Sequence, residues 1–205
     1  MARVIAGMTM SLDGFVADSA GGTDCLYPDL SELRGSPYMK GLIDQTGSVV
    51  MGRRTFGMAE PDSYVGDYEF QVPIFVLTHE PPLVAPKQDE SLTFTFVIDG
   101  VESAMAQATR AAGDRAVTVV GGVSVVQQLL NAGLVDELHV DVMPVLIGSG
   151  LRFFKNIDSD RVQLEKVQVQ EVGERTSLRF RVARLGGGAA ARQKPASKGL
   201  GRMTR

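Results

Sequence analysis

Two glycine junctions carry the residues best suited to bind a phosphate-bearing ligand. In the first junction, an apolar run ends at Gly52 and is followed by Arg53, Arg54 and Thr55. A glycine lets the backbone approach a ligand, a helix start presents unpaired N–H groups, and guanidinium groups add positive charge. The pattern predicts a phosphate site, and the alternative is a glycine turn followed by solvated arginines.

The second junction, Gly121-Gly122-Val123-Ser124, also follows an apolar run. Ser124 is a residue type suited to a helix start, but a glycine pair is also a common turn, so this junction alone is interpreted as structural. Neither junction has the spacing of G-x-G-x-x-G or of a Walker loop, so a conventional Rossmann or P-loop site is not predicted.

The candidate catalytic residue is Asp13, which follows the first apolar run of the chain. A carboxylate at the mouth of a cofactor pocket could orient a substrate or relay a proton. Asp-Gly is also a preferred turn pair, and the Asp13 side chain could cap its own loop, so a purely structural role stays open. Asp24 and Tyr27, in the loop that follows, are weaker candidates.

Histidine and cysteine are too scarce for a Cys/His metal site. The chain holds one cysteine, Cys25, and two histidines, His79 and His139. An internal disulfide is excluded, and no metal is expected. His139 lies within an apolar run and is interpreted as structural, whereas His79 follows a strand and suits a site or a structural role equally. Cys25 has no evident cationic neighbour that would favour a thiolate.

The elements that must position these residues alternate between strand and helix. Strand-like apolar runs cover residues 4–10, 48–51, 72–77, 92–98, 116–120 and 137–145. Helical spacing of apolar residues follows at 37–43, 101–112 and 123–130. The alternation predicts an α/β fold with a mostly parallel sheet, in which ligands bind at the carboxyl ends of the strands. The last two runs, 162–172 and 177–184, predict a closing antiparallel hairpin around Gly173.

Composition supports one folded domain over residues 1–185 and a flexible basic tail over 186–205. The whole chain is 44% hydrophobic, and its first 185 residues hold 16 Lys and Arg against 24 Asp and Glu, a net charge of −8. An acidic body does not favour nucleic-acid binding. The tail holds five basic residues and no acidic one, so an arm for an anionic partner is the alternative to a flexible appendage. No run approaches the about 18 apolar residues of a membrane span, and no signal-peptide core is present, so a cytoplasmic protein without membrane contact is expected.

Five ordered segments resemble the dihydrofolate-reductase-like superfamily. They are M-S-L-D-G-F-V-A from Met10, V-V-M-G-R-R-T-F from Val49, P-I-F-V-L-T-H from Pro73, V-V-G-G from Val119 and P-V-L-I-G-S-G from Pro144. The first and last are more similar to the reductase domain of bifunctional riboflavin-biosynthesis enzymes, the RibD C-terminal domain, and its single-domain relatives than to dihydrofolate reductase itself. The resemblance spans nearly all of residues 1–185. It implies a three-layer α/β fold with a mostly parallel central sheet and a C-terminal antiparallel hairpin.

The resemblance also implies that the protein binds NADPH and that both glycine junctions contact the cofactor. Gly52, Arg53, Arg54 and Thr55 would surround the pyrophosphate and the adenosine 2′-phosphate, with Arg53 nearest the 2′-phosphate. Thr78 and His79 would lie beside the adenosine, and Gly121, Gly122, Val123 and Ser124 along the pyrophosphate and nicotinamide ribose. Ala6 and Phe15 would border the nicotinamide. The Gly121–Gly122 peptide is expected to be cis.

Two departures from the family pattern leave the substrate open. Dihydrofolate reductases carry an Asp or Glu on the first helix, where this chain has Ser36, Pro37 and Tyr38, and the D-D-P-x-L-T-x-R stretch of riboflavin-pathway reductases is absent. The expected function is an NADPH-dependent reductase that transfers a hydride to a small polar or heterocyclic, pteridine- or pyrimidine-like substrate. The alternative is a nucleotide-binding module or redox sensor with little turnover. A homodimer is left open.

Overall fold

The computed structural model describes residues 2–184, which form a large sheet with helices on both faces and a separate two-stranded sheet. The strands are β1 (Val4–Ser11), β2 (Phe15–Asp18), β3 (Thr46–Gly52), β4 (Ile74–Leu77), β5 (Phe94–Val97), β6 (Ala116–Val119), β7 (Glu137–Met143), β8 (Gly150–Arg152), β9 (Val162–Val172) and β10 (Arg175–Arg184). The predicted tail, 186–205, lies outside the described residues.

Within residues 2–184, six helical segments connect the strands. They are α1 (Leu30–Arg34), α2 (Pro37–Gln45), α3 (Arg53–Phe56), α4 (Tyr64–Asp67), α5 (Val101–Ala112) and α6 (Val123–Asn131), with 3-10 turns at Asp24–Leu26 and Pro61–Ser63. The start of α2 is fixed by its sequence, because the Ser36 hydroxyl accepts a hydrogen bond from the Met39 N–H at 3.1 Å and Pro37 occupies the first helical position.

The large sheet has the order β5-β4-β3-β6-β1-β7-β10-β9. Its first six strands are mutually parallel, and β10 pairs antiparallel with both β7 and β9. Strand β6 is inserted between β3 and β1, so the crossovers on its two sides run in opposite directions and leave a crevice at the carboxyl ends of the strands. The α/β, dihydrofolate-reductase-like fold with a closing hairpin is therefore confirmed.

Two apolar clusters cover the two faces of the sheet. On one face, α5 and α6 bury Ala104, Ala108 and Leu129 against strand residues such as Val50. On the other face, Val49 and its neighbours pack against α2 and an aromatic group. Val49 and Val50 are adjacent and face opposite ways, as the two-residue period of a strand requires.

Four elements differ from the sequence-based expectation. The helix expected after Gly52 is a single turn of four residues, α3, and the short helices α1 and α4 and the short strand β8 were not predicted. Strand β8 pairs with β2 so closely that a Cβ built on Gly150 would lie 2.1 Å from the Ala17 carbonyl oxygen. Long-range contact, rather than local sequence periodicity, therefore defines this pair.

Candidate functional site

A cleft of about 1660 Å³ opens where the parallel strands end. Its wall includes one residue at or just beyond the end of each of four strands and one on β1: Gly52, Thr78, Ile98, Val120 and Met8. Ligand sites for small molecules usually occupy about 300–1,000 Å³. The cleft is therefore large enough for a dinucleotide together with a second small molecule.

The two glycine junctions, which the sequence places about 70 residues apart, are in direct contact. The Gly52 N–H donates to the Gly121 carbonyl oxygen at 2.9 Å. A Cβ on Gly52 would lie 3.3 Å from the Gly122 nitrogen, and a Cβ on Gly121 would lie 3.0 Å from the Thr55 Oγ1. Gly121 also has φ +132°, which side-chain-bearing residues rarely adopt. The expected cis peptide between Gly121 and Gly122 is confirmed.

Positive charge enters the cleft from Arg53 and Arg54, both of which are exposed and line it. The Arg53 guanidinium lies over the Phe56 ring, 5.3 Å from its centroid, and Phe56 is buried. A cation–π contact of this kind favours this direction of the Arg53 guanidinium. Because α3 is only one turn long, its dipole adds little, and the guanidinium groups must supply most of the attraction for an anion.

The longer helix α6 also begins at the cleft, directly after the second glycine junction. Gly122 is its N-cap, and Val123 and Ser124, in its first turn, line the cleft. The main-chain donors at Val125 and Val126 already bind the Gly122 carbonyl oxygen. The Ser124 hydroxyl accepts a hydrogen bond from the Gln128 side chain at 3.0 Å, which orients it within that turn.

The structure brings ten of the twelve residues predicted to bind cofactor to this cleft. Thr78 and His79 line it beyond β4, where the Thr78 hydroxyl donates to the Glu80 carbonyl oxygen at 2.6 Å. The ten are Gly52, Arg53, Arg54, Thr55, Thr78, His79, Gly121, Gly122, Val123 and Ser124.

Ala6 and Phe15, predicted beside the nicotinamide, require a correction. Ala6 is 0% exposed and belongs to the apolar core, and Phe15 is 4% exposed beneath the Arg152 guanidinium. The residues of β1 and β2 that line the cleft are Met8, Val16, Ala17 and Asp18. The pairing of β2 with β8 selects which residues of β2 reach the cleft.

Asp13 also differs from its prediction. Its Oδ1 accepts from the Ser11 hydroxyl at 2.6 Å and from the Ile147 N–H at 3.1 Å, and its Oδ2 accepts from the Gly148 N–H at 2.7 Å. The Ser11 hydrogen bond, with those to Gly148 and Ile147, lowers the pKa of Asp13 to about 2. A carboxylate with these hydrogen bonds stays ionised and connects two loops. This arrangement favours the structural role left open for Asp13 over a role as a catalytic acid.

Tyr27, considered only a weaker candidate, lines the cleft, and burial raises the pKa of its phenol. Asp24 lies in the preceding 3-10 turn, together with the exposed Cys25. His139 is buried, with its Nε2 3.1 Å from the Glu137 Oε2, as expected of a structural residue, and burial lowers its pKa. Among residues 2–184, no three His, Cys, Asp or Glu side chains form a potential metal site.

The strand order and the cleft define a dihydrofolate-reductase-like protein. The chain belongs to the RibD C-terminal domain family, whose model matches residues 2–178. The uncharacterized protein YwjB of Bacillus subtilis (strain 168) is 24% identical over 178 residues, which cover 87% of this chain and 97% of YwjB. Within the described residues, no helix has the length and apolar character needed to cross a bilayer.

Solved structures of related enzymes share the fold. A diaminohydroxyphosphoribosylaminopyrimidine deaminase/5-amino-6-(5-phosphoribosylamino)uracil reductase from Thermotoga maritima superposes with a TM-score of 0.66 at 16% identity, over 89% of this chain and 57% of the other. Dihydrofolate reductase from Enterococcus faecalis, complexed with NADP(H) and RAB-propyl, gives a TM-score of 0.58 at 19% identity, over 88% and 96% of the two chains.

Proposed function

We propose that the protein is an NADPH-dependent reductase that transfers a hydride to a small polar or heterocyclic substrate. The observation that carries the proposal is the meeting of both glycine junctions with Arg53 and Arg54 in one cleft at the carboxyl ends of the strands. The relatives support it, because one is named as a uracil reductase and another is a reductase complexed with NADP(H).

The residues present fit a dinucleotide phosphate. Gly52 and Gly121 let the two junctions pack against each other, because a Cβ at either position would meet Val125, Gly122 or Thr55. Arg53 and Arg54 supply charge for phosphates, and the first turn of α6 supplies main-chain donors. In this proposal Arg53 binds the adenosine 2′-phosphate, Arg54 and Thr55 bind the pyrophosphate, and Thr78 and His79 border the adenosine.

When bound, NADPH would supply the hydride. The chain's own contribution is to hold cofactor and substrate against each other and to exclude water from the reacting atoms. Met8, Val16 and Ala17 form an apolar surface on the β1–β2 side of the cleft, where we place the nicotinamide.

Tyr27 is the protein's polar contribution on the same side. Its raised pKa keeps the phenol protonated at neutral pH, so Tyr27 can donate a hydrogen bond to a substrate atom that gains negative charge. Asp13 instead holds the loop that contains Ile147 and Gly148 in place.

Nicotinamide fluorescence during titration with NADPH tests the cofactor, and stopped-flow oxidation of bound NADPH tests turnover. We expect saturable binding, followed by oxidation with at least one member of a panel of carbonyl, imine and pteridine compounds. Tight binding without oxidation by any member would favour the sensor alternative. Failure to bind NADPH would refute both.

A further inference from the structure

A group of buried polar side chains lies behind Tyr27, on the sheet face that α2 covers. Asp141 on β7 and Ser177 on β10 are direct cross-strand neighbours, and Tyr38 of α2 contacts both. We call Asp29, Tyr38, Asp141, Arg175 and Ser177 the Arg175 cluster. It lies outside the cofactor residues assigned above and is not explained by packing alone.

Arg175 is the most unusual member, because its side chain is 0% exposed and only partly satisfied. Its Nη2 donates to the Asp29 carboxylate, and its Nη1 is 3.9 Å from the Asp141 Oδ2, beyond hydrogen-bond distance. Within the described part of the chain, its buried Nε and Nη1 have no hydrogen-bond partner. Buried donors are rarely left in this state, so these N–H groups indicate a place for an acceptor that the chain does not supply.

Asp141 offers the complementary group. Both of its oxygens accept from the Tyr38 hydroxyl, at 3.0 and 3.1 Å, and a carboxylate has capacity for further donors. The Ser177 hydroxyl donates to the Tyr38 oxygen at 3.3 Å and supports this arrangement. A ligand with an acceptor for Arg175 and a donor for Asp141 would therefore use both open positions.

The charges favour a neutral ligand. Two carboxylates, Asp29 and Asp141, face Arg175 and the guanidinium of Arg179, which lies 5.6 Å from the centroid of the Tyr38 ring. These four charges balance, so a carboxylate or phosphate would add an unbalanced negative charge in a buried place. A neutral amide offers a carbonyl acceptor and an N–H donor without changing the balance.

Tyr27 connects the cluster with the cleft. Its side chain lines the cleft, is hydrogen-bonded to Thr9, and has its ring centroid 5.9 Å from the Arg175 guanidinium. Thr9 is in turn the cross-strand neighbour of Asp141. Two residues earlier on β1, a Cβ on Gly7 would meet no heavy atom within 4 Å, so the sheet surface is open there.

We propose that the Arg175 cluster recognises a cyclic amide edge of the substrate, which reaches it from the cleft beside Tyr27. The substrate carbonyl accepts from Arg175, and the adjacent N–H donates to Asp141. The inference rests on the proposed function, since it places the substrate next to the cofactor cleft. Tyr38 of α2 holds the Asp141 carboxylate of β7 in position for this contact.

The test measures binding of uracil, 1,3-dimethyluracil and benzoate to the NADP⁺-saturated full chain by saturation-transfer NMR. Uracil has the amide edge, dimethyluracil keeps the carbonyls without the N–H groups, and benzoate is an anion. We expect uracil to bind at least about tenfold more tightly than either of the others. Tighter binding of benzoate, or binding of none of the three, would overturn the proposal.

Two variants assign the effect to the cluster. D141N should reduce the preference for uracil over dimethyluracil to about threefold or less and leave the NADP⁺ Kd unchanged. R175K should weaken uracil and dimethyluracil alike, and D141N carries the test if R175K does not fold. The matched control is E137Q, a carboxylate-to-amide change on the same strand outside the cluster, which should keep the wild-type preference. A D141N protein with an unaltered preference would refute the assignment, whereas failure of the wild type to bind NADP⁺ would refute the proposed function instead.

Discussion

Replacing Arg53 with alanine should separate NADPH from NADH, because the two cofactors differ only in the 2′-phosphate. Arg53 is held over the buried Phe56 ring at 5.3 Å, so its guanidinium is directed before any ligand arrives. A charge-assisted hydrogen bond is worth about 1.5–3 kcal/mol, which corresponds to about tenfold to hundredfold in affinity. Because Arg53 is exposed and screened by solvent, we expect the lower part of that range.

The matched control is Arg54→Ala, which removes the same charge from the neighbouring position. If Arg54 binds the pyrophosphate common to both cofactors, its loss should weaken NADPH and NADH by similar factors. Each variant is titrated with both cofactors by nicotinamide fluorescence at one fixed ionic strength, since a change in salt alone can imitate a lost contact. Equal weakening of the two cofactors by Arg53→Ala would refute the placement and assign the 2′-phosphate to Thr78 or His79.

Three further substitutions test the roles of single residues. Asp13→Asn should lower the Tm at pH 7 and leave the pH profile of kcat/KM unchanged, because the Asp13 contacts stabilise loops and take no part in proton transfer. The stabilisation by Asp13 is complete above the unfolded-state pKa of about 3.8 and is lost as the pH falls toward 2. If one limb of the pH profile disappears in the variant, Asp13 acts as an acid after all. In the wild type, burial lowers the pKa of His139 in the folded state, so only the unfolded state takes up a proton below about pH 6.5 and the protein loses stability there. His139→Gln removes this proton uptake, so the unfolding free energy measured in urea should fall less between pH 7.5 and 5.5 than in the wild type. An equally steep fall in the variant would contradict this. Gly121→Ala should weaken NADPH binding at least about tenfold, because Gly121 has φ +132° and the added Cβ would meet Thr55. The control is Gly41→Ala, at an open position of α2, which should raise stability by about 0.5–1 kcal/mol in urea unfolding and leave NADPH binding unchanged. Similar effects of the two substitutions on NADPH binding would show that the space at Gly121 is not the cause.

Local sequence signals predicted the parts of the fold that local physics determines. The apolar face of α5 and the alternation in β10 are visible in the sequence, and the structure has both elements. Strand β8 has three residues, all exposed, and forms only because β2 lies beside it, so no periodicity could reveal it. The short α3 ends at Gly57 after one turn, although its polar start suggested a longer helix.

The residues of the site likewise include some that local sequence signals reveal and others that depend on how the strands pair. Glycines and arginines after strands are recognisable because strand ends converge at one edge of a parallel sheet, and these residues do line the cleft. Which side chain of β1 or β2 faces the cleft depends on strand pairing, so Met8, Val16 and Ala17 were missed. Arg175 was missed because it lies between the two strands predicted at 162–172 and 177–184, in the expected hairpin turn, whereas in the structure it is covered and contacts Asp29, far away in sequence.

The insertion of β6 between β3 and β1 affects how the protein can form during synthesis. β1 leaves the ribosome well before both of its neighbours, which come from residues more than a hundred positions later, with Val4 opposite Val117 and Ile5 opposite Glu137. Until then the strand has two unpaired edges and an apolar sequence, a state prone to aggregation and dependent on chaperones. A chain interrupted anywhere before β6 would also lack one of the two glycine junctions, so the proposed nucleotide site can be complete only when the sheet can close.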